Sequence, residues 1–438
     1  MVATTLSKAA TDPVIYSNHF DLIIIDEASM AYAPQIAYAA TLGTRVIICG
    51  DFKQLPPIAV SRHGLVEKWL KQDIFHLSGI TDWVERRLEH PQLMLLPIQR
   101  RMHPDISAFT NKQFYHSLVS DHPETLNQRA HIAKRSPFAK QAAVLMSMTD
   151  HLPWCHTDRG SRWNLMNSLA AIQLMLSANK SAIDSIGYAT PYRAQARWMN
   201  RVLPIFFNQR DLSVSADIFA STIHKFQGSE KDLMIVDLTD SYPQEKAGTL
   251  LTKMESGRLI NVSVTRAKGK FILLGDDGYI KKNVREDKPI RKLIHHLEEK
   301  SKQYKRDTAI VFSQTHTKRL RWYGVKENEK LKKDIAAAKD VVVLSFEKAE
   351  DVSLEIWEVL KRRESYLTII ILCKQKGKIP LTSFKYDPRD FYHPFIGLDK
   401  KVLWFGSFHS GNMDYEDFSY RPRVFSSKFY KAYEETLY

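Results

Sequence analysis

The chain has 438 residues, a formal net charge of +14 and a pI of about 9.4. That length suits about two to four domains with a core in each, and 44% hydrophobic and 26% charged residues exclude a disordered or fibrous chain. Three dispersed cysteines, Cys49, Cys155 and Cys373, exclude a disulfide framework and a cysteine zinc site and point to a reducing cytoplasm; no apolar run reaches membrane-spanning length, and the first residues lack a signal-peptide core. The basic excess suits a polyanionic partner.

Leu22-Ile23-Ile24-Ile25 and Val46-Ile47-Ile48-Cys49 are short β-branched runs bounded by turn residues. They are expected as parallel strands buried on both faces, joined by an Ala-rich crossover helix over Pro34–Leu42. Each run ends in a polar cluster, Asp26-Glu27-Ala28-Ser29 and Gly50-Asp51-Phe52-Lys53-Gln54-Leu55-Pro56-Pro57. In open parallel sheets chemistry collects beyond the carboxyl ends of the strands. Adjacent carboxylates there are costly unless a cation pairs with them. Asp26 suits a Mg²⁺ bound to nucleotide phosphate, Glu27 a base that orients and deprotonates water, and Gln54 an amide that senses the γ-phosphate.

The two clusters resemble motifs II and III of superfamily 1 helicases, in the branch that includes the nonsense-mediated-decay helicase and its DNA-repair relatives. The resemblance covers about Val2 to Asp276. It implies an α/β fold of RecA-like parallel-sheet motor domains, ATP and Mg²⁺ as cofactors, and single-stranded DNA or RNA as partner. It also implies a phosphate-cradling loop, G-x-x-x-x-G-K-[ST], yet the sequence contains no Gly-Lys-Ser or Gly-Lys-Thr. Val2–Ser7 resembles the strand and turn after motif Ib. The expectation is therefore the carboxyl-terminal part of a helicase, with an incomplete first RecA-like domain over 1–95. An upstream segment or a second chain would bring the Walker A loop, and the isolated chain would be inactive.

Further along, Ser61–Gln92 predicts an amphipathic helical stretch with Leu65, Trp69, Leu70 and Ile74 on one face, and Leu93–Leu96 predicts a strand. A second RecA-like domain is expected over 96–285. Gln99-Arg100-Arg101-Met102-His103-Pro104 resembles the family's Gln-Tyr-Arg-Met-His-Pro. This implies nucleotide contact at Gln99 and an arginine finger at Arg101, and Arg100 departs from the usual Tyr. Ala143–Met146 predicts a strand, Asn164–Ser177 an amphipathic helix, and Trp154-Cys155-His156 a core or loop role without metal-spaced companions. Thr190-Pro191-Tyr192-Arg193-Ala194-Gln195 resembles a helicase segment on the nucleic-acid path, which implies strand contacts at Tyr192 and Arg193. Thr222-Ile223-His224-Lys225-Phe226-Gln227-Gly228-Ser229-Glu230 resembles motif V. It implies strand contacts at Thr222 and His224, close backbone approach at Gly228 and nucleotide contact at Glu230. Arg258–Lys268 resembles motif VI, with Arg266 as the second finger.

Residues 286–306 are expected as a Lys-rich helix end and linker, and 307–438 as a separate small α/β domain. Its expected strands are Thr308–Phe312, Val341–Ser345, Leu367–Leu372 and Val402–Ser407, with a helix over Asp351–Arg363. The Asp399-Lys400-Lys401-Val402 turn and Trp404-Phe405-Gly406-Ser407 resemble a phospholipase D-like domain, a family whose active members carry His-x-Lys-x-x-x-x-Asp. Aligned on Asp399, those places hold Tyr392 and Pro394, and His393 is one residue out of register. A domain without the nucleophile and the phosphate cation suits a scaffold or a nucleic-acid-binding module. Two rival readings remain: a non-catalytic module from a split or decayed helicase gene, and a nuclease acting through the last domain.

Overall fold

A computed structural model describes residues 1–438 except 208–215, 227, 254–255, 315–316, 374–376, 389–392, 409–418 and 438. Gln227 and Tyr392 thus lie outside the described residues. The chain divides into two compact units: Met1–Arg100 with Thr110–His122 and Gly257–Val262, and the remainder.

The first unit is built on a parallel pair, β1 (Phe20–Ile25) and β2 (Gly43–Ile48), joined by helix α1 (Ala33–Thr41), as the β-branched runs and the Ala-rich segment predict. One face of the pair carries Ile23, Ile25 and Ile48. It packs on Ile36 and Ala39 of α1 with Leu6, Ile74 and Phe75. On the other face Ile24 and Ile47 are register partners and remain 62% and 48% exposed. The expectation of burial on both faces is therefore corrected. Apolar β-branched residues favour the strand locally, but burial needs a second layer, and among the described residues only one face has it.

The stretch 61–92 forms three short helices, Gly64–Leu70, Ile74–Leu77 and Ile80–Glu85, rather than one amphipathic segment. Asp73 caps the second by accepting from the His76 amide at 3.0 Å, and Gly79, in left-handed geometry, precedes the third. Leu65 and Trp69 are exposed. Leu93–Leu96 is not a strand; the chain there is irregular, and a short parallel pair, Ile98–Gln99 with Ser120–Asp121, follows.

The second unit holds two sheets. The first is wholly parallel, in the order β3 (Ala143–Ser147), β7 (Ala267–Gly275), β6 (Lys231–Asp237), β4 (Ser185–Thr190), β5 (Asp217–Thr222). Helices α2 (Thr125–Ala133), α3 (Leu165–Lys180), α4 (Arg193–Phe206) and α5 (Pro289–Lys300) belong to this unit. Helix α3 is buried all round from Leu165 to Ala178, not amphipathic as expected, because its outer side is covered by later elements. Helix α5 occupies most of the expected linker and buries Ile290, Leu293, Ile294 and Leu297.

The second sheet is mixed, in the order β8 (Leu320–Gly324), β14 (Tyr420–Phe425), β13 (Val402–Phe405), β12 (Phe395–Leu398), β9 (Val341–Ser345), β10 (Thr368–Leu372), β11 (Lys385–Asp387). Helices α6 (Leu354–Arg363) and α7 (Ser427–Leu437) flank its strands in sequence. The expected strand Thr308–Phe312 is instead part of a helix, Tyr304–Ser313. Its buried residues Thr308, Val311 and Phe312 recur at helical spacing, and Phe312 stacks on Trp322 with ring centroids 3.9 Å apart. One continuous core runs from Val144 and Ile235 to Leu403, Phe405 and Phe429, so the two sheets share a hydrophobic interior.

Candidate functional site

In the first unit the carboxyl ends of β1 and β2 are held together by backbone bonds: the Cys49 amide donates to Ile25 O at 2.7 Å and the Ala28 amide to Cys49 O at 2.9 Å. A Cβ on Gly50 would lie 3.1 Å from the Ala28 nitrogen and 2.9 Å from the Phe75 ring, so glycine permits this approach. Asp26 and Glu27 are exposed at this end. Glu27 takes a left-handed backbone (φ 51°), and its amide donates to Asp26 Oδ1 at 2.8 Å. A non-glycine residue in this region is costly and collects at working sites.

Asp51 is the hub of the second cluster. It accepts from the Lys53 amide at 2.9 Å, from Gln54 Nε2 at 3.1 Å and from Tyr115 Oη at 2.5 Å. Asn261 Nδ2 donates to Tyr115 Oη at 2.8 Å and to Lys53 O at 3.1 Å. Gln54 is thereby oriented through Asp51, and Gln99 donates to Asp121. Tyr115 and Asn261 could not be read from local pattern, because 64 and 146 residues separate the pairs they complete.

The second unit gathers Arg101, Gly228, Glu230 and Arg266. Arg101 Nε donates to Glu230 Oε2 at 2.8 Å, and Nη1 to Thr265 O at 3.3 Å. Lys268 Nζ stands 3.8 Å from Glu230 Oε1 and 3.1 Å from Asp232. Arg129 Nε donates to Arg101 O at 2.8 Å and steadies that backbone from α2. Arg266 is 1% exposed and donates through Nη1 to Ser229 O at 3.3 Å. Gly228 sits at φ 77° with nothing within 4 Å of an added Cβ. Its backbone conformation, not crowding, therefore demands glycine.

The two segments expected on the strand path end adjacent sheet strands, with Thr190 of β4 in register with Thr222 of β5. Arg193 is exposed and His224 half-buried. Burial first, and then the Arg193 charge, hold the His224 imidazole below its ordinary range. Tyr192 is 7% exposed, with Arg162 6.0 Å from its ring centre, so its ring offers no open stacking platform.

Around Asp399 the last sheet has a structural task. Its carboxylate accepts from the amides of Lys339, Asp340 and Val341 at 2.9 to 3.1 Å; burial raises its pKa, and these bonds outweigh that and hold it below its ordinary value. His393 is 2% exposed, 3.2 Å from His156 Nε2 and 3.2 Å from Tyr433 Oη, and burial pushes it far below the ordinary imidazole range.

Comparison with known proteins adds family context. Residues 1–62 and 81–278 each match an AAA domain family. The chain is 26% identical over 339 residues to Helicase sen1 of Schizosaccharomyces pombe, covering 73% of this chain and 18% of that protein. It is 25% identical over 292 residues to the uncharacterized ATP-dependent helicase MJ0104 of Methanocaldococcus jannaschii, covering 65% and 40%. It thus spans well under half the length of either relative. Among solved structures it is similar to the PRRSV helicase (TM-score 0.29, 12% identity, 60% of this chain and 36% of that one). It is also similar to Nuc, a phospholipase D family member from Salmonella typhimurium (TM-score 0.21, 14% identity, 27% and 89%). The matched segments 1–62 and 81–278 lie on an α/β fold with parallel sheets.

Proposed function

We propose that this chain is the carboxyl-terminal motor part of an ATP-dependent superfamily 1 helicase or translocase that handles single-stranded DNA or RNA in the cytoplasm. The observation that carries the reading is Glu27, held in strained geometry directly after Asp26 at the carboxyl end of a parallel strand. Asp26 keeps one carboxylate oxygen clear of its bond to the Glu27 amide, which suits Mg²⁺, an ion usually held by one or two carboxylates with phosphate and water. Bound there, Mg²⁺-ATP supplies the transferable phosphoryl group and neutralises its charge. Glu27 orients the attacking water and accepts its proton, and Gln54, set by Asp51, senses the γ-phosphate. Arg101 and Arg266 are the cations for the transferring phosphoryl, and Glu230 and Gln99 contact the nucleotide. Arg193, Thr222 and His224 hold the strand, and the buried Tyr192 ring supports that loop from within the fold. Residues 1–95, 96–285 and 307–438 serve as partial motor domain, full motor domain and phospholipase D-like appendage.

The phosphate cradle comes from an upstream segment or a partner chain. Two observations support this: no Gly-Lys-Ser or Gly-Lys-Thr occurs in the sequence, and the Ile24–Ile47 face of β1–β2 is exposed. The 438-residue chain alone is expected to show no strand-stimulated phosphate release. Turnover of ~1 per second or faster, abolished by Glu27→Gln, would overturn the missing-cradle reading. If adding a segment that carries G-x-x-x-x-G-K-[ST] restores no turnover, the chain is a non-catalytic binding module. The last sheet is expected to cleave no DNA or RNA in chelator. Its one histidine near the motif is buried, and cleavage lost in His393→Ala would refute this.

A further inference from the structure

Helix α4, which begins at the expected strand contact Arg193, is held from two directions. At its first turn it meets the hairpin formed by Cys155–Asp158 and Ser161–Asn164. Ser161 Oγ accepts from the Ala194 amide at 3.0 Å, and Asn164 N donates to Gln195 Oε1 at 2.7 Å. Gln195 Nε2 returns a bond to Asn164 O at 3.1 Å. Further along α4, Trp198 and Phe206 meet Phe429 of α7, with ring centroids 5.9 and 5.7 Å apart. Arg201 and Glu435 add an ion pair between the same two helices.

A buried chain of side chains joins these two supports. His393, just before β12, uses both ring nitrogens. Its Nδ1 lies 3.2 Å from His156 Nε2 of the hairpin, and its Nε2 lies 3.2 Å from Tyr433 Oη of α7. Trp163 of the hairpin stacks on His156, with centroids 4.5 Å apart, and its ring lies 5.4 Å from that of Trp198 in α4. All of these side chains are buried. A buried polar atom that loses its partner costs more than the net worth of the bond. The chain therefore resists a shift of the hairpin relative to the last sheet. Because α4 is one continuous helix of 14 residues, its start follows both the hairpin and α7. The histidine nearest the phosphodiesterase motif is thus spent on this joint.

We propose that the last sheet is a positioning module for strand binding, acting through the Tyr433–His393–His156 chain to set the start of α4 and with it the exposed Arg193. His393 is a positioning residue and touches no strand. This role rests on the strand-binding part of the function proposed above, and not on ATP hydrolysis.

Anisotropy of a labelled oligothymidylate bound to the full chain, across a salt series, tests it. Arg193→Ala removes one phosphate contact and is expected to weaken binding about tenfold and to lower the salt slope by about 0.7. His393→Phe keeps an aromatic ring and removes no charge, since burial holds the imidazole neutral. It is nevertheless expected to weaken binding about tenfold and to lower the slope by about 0.7, as Arg193→Ala does. With both changes the loss should stay near tenfold rather than reach about a hundredfold, because His393 acts through Arg193. Tyr433→Phe removes only a hydroxyl and should weaken binding about threefold, which keeps the test decisive if His393→Phe does not fold.

Ile371→Val in β10 loosens the other core of the same sheet and is expected to leave affinity and slope unchanged. An equal loss in this control would reduce the joint to general stability and overturn the positioning role. Losses from His393→Phe and Arg193→Ala that multiply independently would overturn it too. If His393→Phe and Tyr433→Phe are silent while Arg193→Ala weakens binding, the strand path stands and the positioning role falls. If the wild-type chain binds no strand at low salt, both fall.

Discussion

β1 and β6 are both parallel strands built from consecutive β-branched and apolar residues, and their surroundings differ completely. Leu233 to Val236 of β6 are fully buried between flanking strands and helices, whereas Leu22 and Ile24 of β1 stand in solvent. The difference lies in what covers the strand. β6 is central in a five-stranded sheet. β1 has one described neighbour and one covered face. A strand's sequence therefore states a preference for burial that only a complete set of layers can meet.

Several changes should sharpen this contrast, the largest acting on the second unit. Asp237, at the end of β6, accepts from Tyr188, Asn167 Nδ2 at 2.7 Å, Gln195 Nε2 at 2.6 Å and the Thr239 amide at 2.7 Å. Burial raises its pKa against these hydrogen bonds, which favour the anion. Asp237→Ala strands these donors in the core and is expected to lower the urea midpoint of the second unit by the equivalent of about 3–5 kcal/mol. The first unit's transition should be unmoved, and a shift in both would show that the units unfold together.

Next in size is acid sensitivity. Burial lowers His151 to about 4 and His156 to about 3, from an ordinary value of 6.5. Their folded values lie below the unfolded one, so the stability is fully present above pH 6.5 and is lost as pH falls through 6.5 towards 4. From pH 7 to pH 5 these two groups together should remove about 4 kcal/mol from the second unit. Denaturation at both pH values measures it, and an equal acid loss in His156→Gln would contradict the assignment.

A matched pair of conservative truncations then isolates burial. Ile235→Val in β6 is expected to cost about 1 kcal/mol, and Ile24→Val in β1 less than about 0.5 kcal/mol. Equal costs would mean that the exposed face of β1 is covered in solution. The smallest effect is expected at the Arg101–Glu230 pair, which is nearly half exposed. Its coupling in a double-mutant cycle should fall within about 0–1 kcal/mol and shrink in high salt. A larger coupling would make the pair a structural clamp rather than a site poised for a nucleotide.

Much of the candidate site was legible because it is local. Asp26, Glu27 and Gln54 follow apolar runs that announce strands, and strand ends are where a parallel sheet presents chemistry. The strand Asp217–Thr222 and its pairing with the strand that ends at Thr190 were not read from the sequence and appear only in the fold. The burial of Tyr192 and Arg266 was not legible, because nothing near them in sequence states what packs above them. Asp51's partner Tyr115 and Arg101's support Arg129 were equally hidden, since they are joined only by folding.

The amino-acid sequence alone determined the strand–helix–strand frame of the first unit and the acidic cluster at its end. β-branched runs, alanine-rich crossovers and turn residues act over a few residues and need no distant partner. Tertiary structure alone decided which apolar faces are covered, that Thr308–Phe312 coils into a helix, and that His156, His393 and Tyr433 join in one buried chain. Those outcomes depend on packing and electrostatics between segments up to hundreds of residues apart, which no local pattern encodes.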